Sequence, residues 1–372
     1  MKKIFTLIAV ALCAMGVNAQ NTDYTLATEA TVIDQVLIDG LAAQGTSATI
    51  NIPEGMTVDV NGISDSGEKT AIKIPDGFSV TFVGIGETKP TLNFPKALDI
   101  SGTHEYVRFD NVAIKDGGCQ YFINQSGEAN VAEFTMANST VSDFERSFIR
   151  TQGEKNISIG NITVDNCIFT NIASGNGYSV FYFGTATTVI GKLELKKSTF
   201  NTSQRSFIEA SKQDITNGVF ITDCTLYNNV AEGRYLMDAK DRNTNLTVTN
   251  TIFGKTYSEK AKGVRTKGTM TFTNCIRTAD CTFASNDVAD LVADERSSET
   301  IFTDPANADF TLKIADKVGD PRWYGAGGSD AINNINKDNN FVETQVYNLA
   351  GQKVNDAFKG VVVKNGKKLI QK

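Results

Sequence analysis

Histidine is almost missing from this chain: His104 is the only one in 372 residues. That excludes a histidine-built zinc centre and leaves a serine triad no second imidazole to choose from. Tryptophan is as scarce, with Trp323 alone. No Asp-Asp pair occurs, and no stretch reaches the ~20 apolar residues of a membrane-spanning helix. Positive charge is in deficit, with 36 Lys and Arg against 42 Asp and Glu, a formal net charge of −6. Taking Lys2 and Lys3 away with a cleaved leader makes the balance 34 to 42, or −8. Such a chain has no general attraction for nucleic acid. Binding an acidic polysaccharide would need a local basic patch or a bridging cation.

Residues 1–19 read as a signal peptide. Lys2 and Lys3 form the charged start, Ile4 to Met15 the apolar stretch, and Val17-Asn18-Ala19 the small-residue cleavage site. Cys13 follows Leu12 in a poor context for a lipid anchor. Five cysteines then remain, an odd number that cannot pair completely in an exported protein. Their spacing lacks the paired pattern of a zinc site. The mature protein is expected to be exported, without a membrane span, secreted or held at the outer-membrane surface, and monomeric.

What the chain has in abundance is repetition. A polar anchor follows each alternating apolar run: Asn111, Asn138, Asn166, Lys197, Asp223, Asn250 and Asn274. By subtraction the gaps are 27, 28, 31, 26, 27 and 24 residues. Four residues before the anchors stand Val107, Phe134, Ile162, Leu193, Val219, Leu246 and Met270. Two before stand a second apolar set beginning with Phe109, and three after a third, from Ile114 to Phe253. The last copy has Arg277 in that third column. Gly84 fits as an earlier copy behind Val80 and Phe82, and Gly62 as a looser one behind Val58 and Val60. Alternation of period two means strands with one buried face. A coil of about 25 residues cannot bury that face alone and must stack on its neighbours. The fold expected is an all-β parallel β-helix of nine or ten coils.

The cadence VDNCIFTN (164–171), ITDCTLYN (221–228) and VTNTIFG (248–254) resembles the coils of the right-handed parallel β-helix, pectin-lyase-like superfamily. IFTDPANADFTL (301–312) followed by GDPRWYG (319–325) is similar to the closing segment of secreted bacterial β-helix proteins without assigned function. The resemblance implies a right-handed helix over residues 20–328. For activity it implies little, because the superfamily holds lyases, hydrolases, esterases and inert adhesins. Its known catalytic patterns, the paired aspartates with Gly-His-Gly and the strand-end Arg two residues before Pro, are missing here. His104 reads as a turn residue rather than a general base.

Residues 29–44 break the strand pattern. Ile33, Val36, Leu37 and Leu41 share one helical face, and Thr31 with Asp34 resembles a capping box. A helical cap over the open first coil is expected there, with strands starting at 50–60. If period two holds through the anchor, the anchor points inward, and five of the seven are Asn. The expectation is a partial internal asparagine ladder broken by Lys197 and Asp223. Cys167, Cys224 and Cys275 follow anchors of alternate coils. They should lie roughly 9–10 Å apart as buried thiols, beyond disulfide reach. Cys275 and Cys281 are the one pair close enough to suspect. Trp323 reads as a plug on the last coil, with a sugar-stacking surface as the alternative. Residues 329–340 are a linker by composition. Residues 341–372, with VYNLAGQKV and a basic end, are similar to the sorting tails of type IX secretion, or form a small β-hairpin module.

One constellation stands out for function. RSFIR (146–150), SVFYF (179–183), RSFIE (205–209) and RYLMD (234–238) align as second strands of successive coils. The alignment stacks Arg146, Arg205 and Arg234 in one column and Arg150, Glu209 and Asp238 in another, with Phe148, Phe181, Phe207 and Leu236 between. Charged residues sharing a parity cannot all enter a coil core, so that parity is expected to face out. Ser147, Ile149, Ser206, Ile208 and Met237 would then face in. An outward ridge of aromatic rings bordered by arginines suits sugar rings and uronate carboxylates. The plainer reading is a cross-coil salt-bridge ladder of Arg150, Glu209 and Asp238. The functional readings are a polysaccharide-binding surface of Arg146, Phe148, Phe181, Arg205, Phe207 and Arg234, and a polysaccharide lyase with Arg150, Glu209 and Asp238 as its catalytic groups. A third class is a structural or adhesive solenoid with a protein partner. No cofactor is expected. Calcium at Asp238 with Asp241, or at Asp143 with Glu145, lacks a specific loop pattern.

Overall fold

The computed structural model describes residues 21–325 except 176, 186, 285–287, 289, 290 and 292, and, near the C-terminus, 346–348, 353–354, 359–364 and 367–371. The signal-peptide and linker stretches lie outside the described residues. The chain divides into two compact units after Tyr324.

The first unit is an all-β parallel solenoid, consistent with a right-handed parallel β-helix. Two sheets of ten strands and one of six run along it, and each strand pairs with the one a coil further on. The first sheet runs from Asn21–Thr25 to Met270–Thr273, the second from Val32–Ile33 to Ile276–Arg277, the third from Ile123–Gln125 to Lys262–Arg265. The apolar columns are register columns. Val107 pairs with Phe134, Phe134 with Ile162, and so on through Leu193, Val219 and Leu246 to Met270. Ile114, Val141, Phe169, Phe200, Leu226, Phe253 and Arg277 form the matching column of the second sheet. The Gly84 copy also holds, with Val80 opposite Val107 and Phe82 opposite Phe109. Val58 and Val60 do not continue it. Val58 pairs with Leu92 in the second sheet, and the first-sheet strand of that coil is Ser47–Pro53.

The anchors lie at the bend between first and second sheets, and all seven have positive φ, from 48° at Lys197 to 54° at Asn111, Asn166 and Asp223. A left-handed residue breaks the two-residue period. The anchor side chain therefore turns to the surface, and the next residue turns in, as at Val112, Ser139, Cys167 and Cys224. The expected internal ladder is an external one. Asn166 donates to Asn138, and Asn138 to Asp110, both at 2.7 Å. Asn274 donates to Asn250 at 2.7 Å and Asn250 to Asp223 at 2.5 Å. Asn tolerates the left-handed region better than most residues, which explains its recurrence. Lys197 costs nothing in charge burial because it is exposed. Behind the bend, Ser139, Ser198 and Thr251 accept backbone N–H bonds from Val112, Cys167 and Cys224. All five described cysteines are free, Cys275 and Cys281 included.

Two expectations at the ends change. Strand pairing begins at Asn21–Thr25, not at 50. The helix is Gln35–Ala42 and belongs inside the first coil, after the second-sheet strand Val32–Ile33. Asp34 alone caps it, accepting from the Leu37 N–H, and Ile38 and Leu41 are its buried residues while Val36 is 78% exposed. At the other end, Trp323 is not a plug on the last coil. Phe302–Asp304 and Asp309–Leu312 form an antiparallel pair. The segment then folds back along the outer face of the second sheet, where Tyr227, Ile252, Phe302, Phe310 and Trp323 make a separate apolar cluster. The Trp323 indole donates to the Thr199 hydroxyl at 2.6 Å, three second-sheet strands back from the last. Asp320, 1% exposed, accepts from Thr199 at 2.7 Å, and Arg322 reaches Asn166 at 2.7 Å.

The second unit contains a four-stranded antiparallel sheet within the tail predicted at 341–372. Its last two strands pair through Lys364 and Lys367.

Candidate functional site

The residues singled out from the sequence lie on the third sheet and at the corner leading into it. Its outward column reads Asn124, Arg150, Tyr182, Glu209, Asp238, Arg265. The inward column reads Ile123, Ile149, Phe181, Ile208, Met237, Val264. Three residues before each inward position the same register places Arg146, Tyr178, Arg205 and Arg234 at one corner of successive coils.

The expected aromatic ridge is not built as the alignment had it. Phe148, Phe181 and Phe207 are all 0% exposed and Leu236 is 1% exposed. None of them can stack on a ligand. Phe148 precedes its strand, Ile149–Thr151, and Phe207 precedes Ile208–Glu209. The chain bends there, so adjacent residues both turn inward and parity fails at the corner. Phe181 has a second reason: SVFYF sits one residue out of the assumed alignment, so Phe181 pairs with Ile149 and Ile208. The rings instead form an internal stack. Phe122 and Phe148 are parallel at 5.1 Å, and Phe181 meets Phe207 edge to face at 5.8 Å. Ser147, Ile149, Ser206, Ile208 and Met237 are buried, as parity required.

Tyr178 and Tyr182, both half-buried, take outer positions where phenylalanines were expected, while Tyr121, 5% exposed, lies under the guanidiniums of Arg146 and Arg150. Arg146 donates to the Tyr121 hydroxyl at 2.7 Å, and Arg150 to the same oxygen at 3.1 Å. Arg150 also donates to the Tyr178 hydroxyl at 3.1 Å, with its guanidinium 4.0 Å from the Tyr178 ring centroid. Tyr178 and Tyr182 meet edge to face at 5.0 Å. The bond that Arg146 donates to Tyr121 raises the guanidinium above its ordinary value, and burial raises the Tyr182 phenol. Gly184 makes room for the Tyr182 ring, since a β-carbon there would fall within it. Further along, Arg265 stacks 4.4 Å from the Tyr235 centroid and grips Asp238 with two bonds of 2.9 and 2.6 Å.

Arg150, Glu209 and Asp238 share the predicted column but not one constellation. Tyr182 stands between Arg150 and Glu209, so their backbones lie roughly 10 Å apart, two coil spacings. Glu209 accepts from Ser179 at 3.0 Å, and Asp238 belongs to Arg265. Neither the Arg150–Glu209–Asp238 ladder nor a converged catalytic set is formed. Arg205 and Arg234 occupy equivalent corner positions of adjacent coils. Burial, then the Arg234 charge, lowers Arg205. The half-buried Tyr178 and Tyr182 escape a sequence alignment whose register is set by RSFIR and RSFIE. Starting one residue earlier, at Tyr178, would have aligned it with Arg146 and Arg205, and Tyr182 with Arg150 and Glu209.

Outside this face, His104 is a strand residue, 2% exposed, with its ring nitrogens 2.7 and 3.3 Å from the Phe78 and Ser101 carbonyl oxygens. Among the described residues no three His, Cys, Asp or Glu side chains are grouped as a metal site. No helix among them is long and apolar enough to cross a membrane.

Residues 219–323 match a family described as a domain of unknown function (DUF5123). The match runs from the first-sheet strand Val219–Thr222 through the closing segment to Trp323, so it includes Arg234, Asp238 and Arg265 but not the tyrosine cluster. No curated protein matches the chain.

Proposed function

We propose that the outward face of the third sheet binds carbohydrate, in an exported β-helix protein of the bacterial cell surface that acts as a monomer. The observation behind this reading is the interleaving of the half-buried rings of Tyr178 and Tyr182 with Arg146 and Arg150, both arginines held from below by the buried Tyr121 hydroxyl. Aromatic faces with a polar edge stack on sugar rings, and guanidinium forks match the oxygens between them. The arginines already bonded to phenols are pre-oriented, which lowers the ordering cost of binding. Binding is favoured over cutting because the two carboxylates proposed for chemistry have other partners, Ser179 and Arg265.

A glycan array with the full chain tests the reading, with ultraviolet absorbance of each hit recorded to detect unsaturated uronate. Binding is expected without new absorbance. Tyr182→Ala should abolish it, and Gly184→Ala should weaken it by displacing the ring while the unfolding midpoint stays near wild type. Undiminished binding in Tyr182→Ala would remove this face as the site. New absorbance would turn the reading to a lyase.

A further inference from the structure

Two arginines converge on the buried Tyr121 hydroxyl. Arg146 donates to it from Nη1 at 2.7 Å and Arg150 from Nη1 at 3.1 Å. The two Nη1 atoms therefore lie within about 6 Å of each other, where like charges repel. Both guanidiniums also sit over the Tyr121 ring, 5.4 and 5.2 Å from its centroid. The other groups that hold them are neutral. Arg150 donates to the Tyr178 hydroxyl at 3.1 Å and to the Asn124 side-chain oxygen at 3.4 Å, and the Tyr178 ring faces both heads. Among the described residues neither arginine is in an ion pair, whereas Arg108, Arg265, Arg296 and Arg322 each have a carboxylate. Glu145, the carboxylate whose charge acts on Arg146, is exposed and accepts from Gln120 at 2.7 Å. Arg146 bonds through Nη1 alone among the described residues, so most of its N–H donors remain for a ligand. A phenol under both heads fixes their positions without cancelling their charge, as an aspartate or glutamate there would.

We propose that Tyr121 is a positioning residue whose hydroxyl draws Arg146 and Arg150 into a clamp for a carboxylate or sulfate group on the bound glycan. The inference rests on the carbohydrate reading and gives the glycan its class, an acidic one. An oxyanion between the two guanidiniums accepts charge-assisted bonds from both and relieves their repulsion. Arg146 and Arg150 belong to one coil and Tyr178 and Tyr182 to the next, ~4.8 Å further on. A sugar ring lying on the tyrosines can thus place its charged group at the clamp. The ring contact does not discriminate charge, and the clamp does. It is the local basic patch that a chain of net charge −6 needs in order to hold an acidic polymer.

The test compares a uronic-acid polymer, its carboxyl-reduced neutral counterpart and a sulfated neutral polymer, using the full chain and the variants Tyr121→Phe, Arg146→Gln, Arg150→Gln and Arg146→Lys. The readout is the ratio of anionic to neutral affinity. Wild type should prefer one or both anionic polymers, and which one identifies the oxyanion. Each Gln variant should lower the ratio about ten- to a hundred-fold. Tyr121→Phe keeps the ring and both charges but frees the guanidiniums, and should lower it about three- to ten-fold. Arg146→Lys should retain part of the preference, because it keeps the charge but not the fork. Unfolding midpoints separate these effects from loss of structure. A wild-type ratio in folded Tyr121→Phe would overturn the positioning role, and one in the folded Gln variants the clamp itself. Equal wild-type affinity for acidic and neutral polymers would also overturn the clamp while leaving carbohydrate binding standing. If wild type binds no polymer, inorganic sulfate decides. Saturable thermal stabilisation that is lost in Arg146→Gln and weakened in Tyr121→Phe would uphold the clamp and sink the carbohydrate reading. No such difference would overturn both.

Discussion

Replacing Phe207 by alanine separates a core residue from a ligand-stacking one. The ring is fully buried and meets Phe181 at 5.8 Å and Phe200 at 4.9 Å, both edge to face. Truncating a buried Phe costs about 3–5 kcal/mol through lost transfer energy and the cavity left behind. The two edge-to-face pairs put Phe207 in the middle of that range or above it. About 4 kcal/mol, with a urea slope of about 3 kcal/mol/M, lowers the unfolding midpoint by roughly 1 M. Phe207→Leu, which keeps most of the volume, should lose less than half of that. Far-UV dichroism in urea measures the midpoints, and binding is measured below the transition. Glycan affinity of folded Phe207→Ala should stay close to wild type, because the ring reaches no surface. An unchanged midpoint with abolished binding would refute the inward placement and restore the ring to the outer ridge.

Further outcomes follow from the bends, the closing segment and the thiols. Lys197→Asn should stabilise by about 0.5–1 kcal/mol, since Asn tolerates the left-handed φ of 48° that Lys197 adopts; denaturant midpoints read this, and a lower midpoint contradicts it. Burial raises the Asp320 carboxyl despite Arg322, so the folded state binds the proton more tightly than the unfolded chain. Stability from this group therefore rises as pH falls from neutral through the folded value towards the unfolded one, about 3.9. The wild-type Tm advantage over Asp320→Asn should grow on acidification, and a shrinking advantage would reverse the sign. Burial pushes the Cys167 and Cys281 thiols up to about 12 and Cys224 higher still. Thiol reagents at pH 8 should leave these three unlabelled until the chain unfolds, and reductant should not move Tm; labelling of the native chain at Cys224 would contradict the burial.

How far the sequence reveals this molecule depends on strand length. The first-sheet strands from Gly102–Asp110 to Thr188–Lys196 have nine residues each, long enough for alternation to identify buried columns, and those columns hold pair by pair. The anchors show where alternation stops being usable. One left-handed residue reverses the facing of everything after it, so Asn138 is exposed and Ser139 buried. The motif recurrence at the anchors was legible, but their direction was not, because φ leaves no trace in an apolar pattern. The third sheet is harder still. Its strands have two to four residues between bends, so period two never runs long enough to assign a face. There Arg146 and Arg150 share the predicted surface while Phe148 between them does not. Charge is the better guide at such corners, since an arginine must reach solvent or a partner whatever the backbone does, whereas a phenylalanine follows the bend inward. By the same logic the rings that accompany surface arginines should carry a hydroxyl. Tyr121, Tyr178 and Tyr182 have one, and Phe148, Phe181 and Phe207 do not.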